Sequence, residues 1–192
     1  MFDAGVGRAE RSETRQLFMI DPSIGHQGVH AMTVSELRSL IQDAWSDAKH
    51  PGDIDTSADP GSEAMQVVSF FRGKAWKDIT LEALRTYPGD ASKCLNYMSA
   101  VAFRYYIPAF MLMALDKYED QGSSAEAWVI AASAVYSLGT LSADLFKSRV
   151  AAFSVFQRKT IVEFLRFIAC NCSEDYPMDE PQRAYVHWLS VI

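Results

Sequence analysis

The chain has 192 residues, of which 49% are hydrophobic and 22% charged, and its formal net charge is −6. That length suits one core rather than two domains, and that composition excludes a wholly disordered chain. The negative balance argues against a broad phosphate-binding surface, so nucleic acid is not an expected partner, whereas a protein partner of basic character is.

Residues 1–31 hold Gly5, Gly7, Pro22, Gly25 and Gly28 around one apolar patch, Leu17-Phe18-Met19-Ile20, and read as a weakly ordered leader. Charges at Arg8, Glu10, Arg11, Glu13 and Arg15 interrupt any secretory apolar stretch, and the longest apolar run, Ile107 to Leu115, falls short of the roughly 20 residues that span a bilayer. The expected location is the cytoplasm, with no membrane partner. Met32 directly precedes a capping-box pattern, Thr33-Val34-Ser35-Glu36, which makes it a candidate start residue; a native N-terminus at residue 1 would exclude that.

A helical domain is expected over 32–192. Val34, Leu37, Leu40, Ile41, Ala44, Trp45 and Ala48 recur at three- and four-residue spacing, which predicts an amphipathic helix stopped by His50-Pro51-Gly52-Asp53. Asp59-Pro60 offers an N-cap and first-turn proline for a second helix ending near Gly73. Lys74 to Asp78 reads as a connector, Thr80 or Asp78 as the cap of a short helix, and Ala91 to Tyr97 as a helical turn. Ser99 caps the central segment, Ala100 to about Tyr118, with a break or kink expected at Pro108 because proline removes a donor and clashes with the preceding turn. Ala125 to Leu138 reads as a buried helix with Gly139 past its end, Ser142 as the cap of a short helix, Ser154 and Gln157 as a second capping box, and Asp179-Glu180-Pro181 as the start of a terminal helix bearing Tyr185, Trp188 and Leu189. Without alternating strand patterns, the fold class is all-α: one compact domain of six to eight short helices.

Three blocks stand out in order: Pro51-Gly52-Asp53, Phe71-Arg72-Gly73-Lys74-x-Trp76, and Phe103-Arg104-Tyr105-Tyr106-x-Pro108-Ala109-Phe110. Together they resemble a family of small bacterial proteins classed only as a domain of unknown function, from about Val34 to the C-terminus. The resemblance implies no established activity. It implies a threonine-proline pair at the start of the third block's helix, where this chain has Ser99-Ala100. Occurrence of such small proteins near bacterial toxin loci makes an immunity or antitoxin role an associated expectation.

Two readings fit the blocks. Arg104 with Tyr105 and Tyr106 could grip an anion through its planar guanidinium, joined by Arg72, Lys74 and Trp76 in a ligand pocket. Alternatively the set is structural: Arg104 pairs with a buried carboxylate, Asp53 links to Arg72 or Arg104, Arg72 and Lys74 bond the last carbonyls of a helix around a left-handed Gly73, and Trp76 anchors the connector. The structural reading is preferred. In either, the proline ring frees the Arg104 carbonyl to accept from a side chain or water.

The acidic positions Asp53, Asp55, Asp59, Glu174, Asp175, Asp179 and Glu180 are the candidate partner-binding surface. Lys147, Arg149, Arg158, Lys159 and Arg166 read as a solvated basic strip. Cys94, Cys170 and Cys172 read as buried thiols in a reducing compartment; no second cysteine pair or nearby histidine completes a zinc site, and no metal or cofactor is expected. The chain also lacks a nucleophile elbow, a phosphate-binding loop and an H-E-x-x-H pair, so no catalytic residue is assigned. The expected function is a non-enzymatic protein-binding domain. The alternatives are an anion- or small-molecule-binding helical protein, conceivably an enzyme, and a self-associating subunit using the Ala125 to Leu138 helix or the Tyr185, Trp188, Leu189 stripe.

Overall fold

A computed structural model describes residues 32–52, 56–57, 61–119, 125–139, 142–171 and 180–192. The chain divides into Met1–Met32 and Thr33–Ile192, and all the described helices belong to the second unit. They are α1 (Val34–Ala44), α2 (Ser62–Phe71), α3 (Leu81–Arg85), α4 (Ala100–Glu119), α5 (Ala125–Gly139), α6 (Ala143–Ala152), α7 (Val155–Asn171) and α8 (Glu180–Leu189), with 3-10 turns at Trp76–Asp78 and Ala91–Tyr97. The all-α expectation holds among the described residues, where the only strand-like pairing is an isolated bridge between Ser57 and Met98.

Local chemistry accounts for the helix starts. Thr33 and Glu36 cap α1 reciprocally, Thr80 accepts from the Ala83 amide, Ser99 from Ala102, Ser142 from Leu145, and Ser154 and Gln157 form the second capping box. Serine at 99 therefore caps α4. One start differs from expectation: α2 begins at Ser62 behind Gly61, whose backbone is extended and which has no side chain to cap with, rather than behind Asp59.

Helix α4 is the axis of the domain. It is buried on nearly all sides from Ala102 to Leu115, and α1, α5 and α6 pack against it, while α7 and α8 pack on each other, on α1 and on α5. A helix covered all round has no polar face to show, which is why its sequence reads as an unbroken apolar run. The expected break at Pro108 does not occur: α4 runs through it. The vacated acceptor, the Arg104 carbonyl, takes a 2.6 Å hydrogen bond from the indole Nε1–H of Trp45, a fully buried side chain at the end of α1. That replaces the bond proline cannot make.

The same device recurs. Gln157 Nε2 donates to the Ala44 carbonyl at 3.1 Å, Trp188 Nε1 to the Leu138 carbonyl at 2.8 Å, and Arg149 to the carbonyls of Leu95 and Ser137 at 2.9 and 2.8 Å. Each plugs a carbonyl at or near a helix end, where no intrahelical donor remains. These donors come from distant segments, so each bond satisfies a polar group and fixes how two elements dock.

Arg149 corrects the solvated-strip reading. Its side chain is 0% exposed, and its guanidinium carbon sits 3.7 Å from the centre of the Phe103 ring. Desolvation pushes its pKa down to about 10, which leaves it charged at neutral pH. It forms no ion pair with any described residue; two carbonyls and one aromatic face hold the charge. Its neighbours Lys147 and Lys159 are exposed.

The cysteine reading holds for Cys94, which is buried, with burial pushing its thiol up to about 12. Cys170 is exposed, contrary to expectation, because it lies at the end of α7 beyond the core-facing Ile168. Cys172 lies outside the described residues. In the terminal helix only Trp188 of the expected stripe is core; Leu189 is 40% exposed and Tyr185 half-buried. Among the described residues no single helix is long and apolar enough to cross a membrane.

Candidate functional site

The three sequence blocks meet around one hydroxyl. Tyr106 Oη lies 3.0 Å from the carbonyls of both Phe71 and Lys74, where its single proton is donated, and 3.1 Å from His50 Nε2. The Gly52 amide donates to His50 Nδ1 at 3.1 Å, so Nδ1 carries a lone pair and Nε2 the proton that reaches Tyr106; this tautomer follows from the hydrogen-bond pattern. Gly52, at φ +85°, makes the tight return that brings its amide to the ring. Tyr105, 5% exposed, packs edge-on against both His50 and Tyr106. Both tyrosines are therefore core residues, and the Tyr106 hydroxyl is spent on backbone carbonyls and imidazole. His50, read in the sequence only as a helix stop, is the missed member of the group.

In the second block the described side chains engage the fold's own backbone and rings. Gly73 adopts φ +65° after α2, and Lys74 Nζ donates to the Phe70 carbonyl while lying 4.1 Å from the Phe70 ring centre. Trp76 is buried in its 3-10 turn and Arg72 is exposed. Lys74 borders a shallow cleft of about 460 Å³ with Met65, Gln66 and Pro88. Asp53, Asp55, Asp59, Glu174, Asp175 and Asp179 lie outside the described residues, and Glu180 is half-buried at the start of α8.

Arg104 parts company with its block. Its side chain is half-buried and borders a different open cleft, also about 460 Å³, formed where the end of α1 and the following turn face the start of α7. Asp43, Asp47 and Lys49 line one side, with Ser154, Phe156 and Gln157 on the other. Arg104 makes no ion pair with the described residues, and its expected partner, Asp53, lies outside them. The backbone carbonyl of Arg104 is held inward by Trp45, while its half-buried side chain lines the cleft.

The cleft walls are fixed by the two plugs already described. Trp45 ties α1 to α4 through the Arg104 carbonyl, and Gln157 ties the start of α7 to the last turn of α1 through the Ala44 carbonyl. The corner between α6 and α7 is set by Phe153, whose ring packs edge-on against Trp45, Phe103 and Trp188. Immediately after this anchored corner, Val155 and Phe156 stand 55% and 49% exposed. Asp43, Asp47 and Phe156 were not singled out in the sequence, because no local pattern distinguishes them from ordinary helix-surface residues. Among the described residues, no group of three or more histidine, cysteine or carboxylate side chains is placed to hold a metal ion.

A family model described as "Family of unknown function (DUF6714)" matches residues 34–191. No curated protein and no solved structure matches the chain.

Proposed function

We propose that this chain, a member of the DUF6714 family of unknown function, is a non-enzymatic protein-binding domain whose recognition surface is the cleft between the end of α1 and the start of α7. The observation that carries the reading is Phe156, half exposed in the cleft that Arg104 also lines, on a backbone locked by Trp45 and Gln157. Aromatic and arginine side chains on a rigid frame are what interface energy concentrates in, because they bring large contact area without an ordering cost on binding. The open shape suits a macromolecular surface better than a small ligand, which a binding pocket usually encloses on most sides.

The net charge of −6 favours a partner whose surface around the docked segment is basic, and charge complementarity would raise its association rate. The narrowest form of this reading is an immunity- or antitoxin-like protein that occludes a basic active site. Action in a reducing cytoplasm accords with the free thiols of Cys94 and Cys170.

The test is a photo-crosslinking residue placed at position 156 or, as a control on the other cleft, at the equally exposed position 65, in the full chain expressed in its native cell. A discrete protein adduct from position 156, absent at 65 and diminished at high salt, is expected. No adduct at 156, or the same adducts from both positions, overturns the reading.

A further inference from the structure

The cleft contains four charged side chains, Asp43, Asp47, Lys49 and Arg104, and none of them forms an ion pair or a side-chain hydrogen bond with the described residues. Several charges elsewhere on the domain are paired. Arg38 pairs with Asp116 and Glu119, Arg85 with Glu82, Lys93 with Asp90, and Arg166 with Glu163. In this concave site charges of both signs stand together without an ion pair among the described residues.

The formal charges of the four sum to zero, so a complementary occupant is neutral overall while carrying both signs. We infer that the cleft receives a partner-protein segment in which an acidic and a basic side chain stand close together. In this arrangement Arg104 forks the carboxylate, as a planar guanidinium does best, and Asp43 and Asp47 take the ammonium or guanidinium. Phe156 lies at the rim to cover the apolar stem of the basic side chain and, for arginine, to offer its ring face. A segment of one sign is rejected at the opposite wall: an acidic run meets Asp43 and Asp47, and a basic run meets Arg104 and Lys49. Discrimination then rests on like-charge repulsion as much as on attraction.

This inference rests on the protein-binding reading and specifies the chemistry of the segment recognised. The probe is a library of random peptides displayed on phage and selected on the immobilised full-length chain. Enriched peptides are then synthesised and titrated against wild type, Arg104→Gln and the Asp43→Asn/Asp47→Asn double variant, each first shown to unfold at the wild-type temperature. Enriched sequences with acidic and basic residues adjacent, bound at least tenfold more weakly by each variant, are the expected result. A motif of one charge sign, no enrichment, or unchanged binding by the variants overturns the inference. The crosslinking experiment separates the two levels. An adduct at position 156 with single-sign peptides leaves protein binding standing and the segment chemistry wrong, whereas absence of any adduct removes the protein-binding reading itself.

Discussion

Two arginines, Arg149 packed over the ring of Phe103 and Arg104 next to Phe103 in the chain, show how differently the same side chain can be used. Arg149 is wholly buried over the ring of Phe103, with its forks on the carbonyls of Leu95 and Ser137. Arg104, the next residue after that phenylalanine, has its backbone carbonyl held by Trp45 while its side chain lines a cleft without an ion pair among the described residues. The first arginine spends both terminal nitrogens in closing the fold, and the second's guanidinium makes no hydrogen bond with the described residues. A cation committed to the frame should matter for stability and one committed to the cleft for binding, and the comparison can be broken by exchanging those effects.

The largest effect is expected at Arg149. Arg149→Ala leaves two carbonyls without donors and a void against Phe103, a loss of about 3–5 kcal/mol in denaturant unfolding. Arg149→Met fills much of the space and removes the desolvated charge, so it should lose less, about 1–3 kcal/mol from the stranded carbonyls. Arg104→Gln should move stability by no more than about 0.5 kcal/mol, as expected for a side chain without a partner among the described residues. Comparable losses at both arginines would erase the distinction.

Next comes the plug between the two regions. Trp45→Phe keeps an aromatic ring against Phe153 but removes the donor to the Arg104 carbonyl, which Pro108 cannot replace. A loss of about 1–3 kcal/mol is expected from an unsatisfied buried acceptor. Because the same bond sets where Arg104 emerges, crosslinking from position 156 should also fall. Full crosslinking in a destabilised Trp45→Phe chain would show that the frame does not set the cleft.

These contrasts also mark what sequence could and could not disclose. The caps at Thr33, Thr80, Ser99, Ser142 and Ser154 were legible because donor and acceptor lie within three residues of each other. The need of the Arg104 carbonyl for a new donor was legible from Pro108 alone, but the donor lies 59 residues away. Gln157 and Ala44, which close the cleft, are 113 residues apart. Arg149 looked like its charged neighbours because burial depends on which elements pack over it, and the local charge pattern is the same for a buried and a solvated arginine. Asp43, Asp47 and Phe156 became a site only through tertiary approach.

A smaller effect separates paired from unpaired carboxylates. Asp90 caps the 3-10 turn Ala91–Tyr97, accepting from the Ser92 hydroxyl and amide, and pairs with Lys93. The hydrogen bond from the Ser92 side chain holds its carboxyl below the ordinary 3.8, against a modest opposing desolvation. A depressed folded-state value means that its stabilisation is present at neutral pH and lost as pH falls through the acid range below that ordinary value. Asp90→Ala should therefore cost about 1 kcal/mol at pH 7, typical of a lost cap, and the gap to wild type should close on acidification. A gap independent of pH would assign the effect to helix propensity and not to the carboxylate.

The smallest effect is the most telling for the cleft. Asp43 lies in the last turn of α1, where the carbonyl ends of the helix make a carboxylate unfavourable, and Asp47 stands four residues further on with the same sign. Neither has a compensating partner among the described residues. Asp43→Asn should therefore be neutral or raise stability by a few tenths of a kcal/mol, measured as a shift in denaturation midpoint at low salt and fading as salt screens the field. A carboxylate kept where it costs the fold a little is explained by something outside the fold, and the same variant should weaken capture of the cleft's occupant. If Asp43→Asn instead destabilised the chain by more than about 0.5 kcal/mol, beyond what an unpartnered surface residue contributes, Asp43 would belong with Arg149 in the frame. The cleft would then lose one of its two acidic walls.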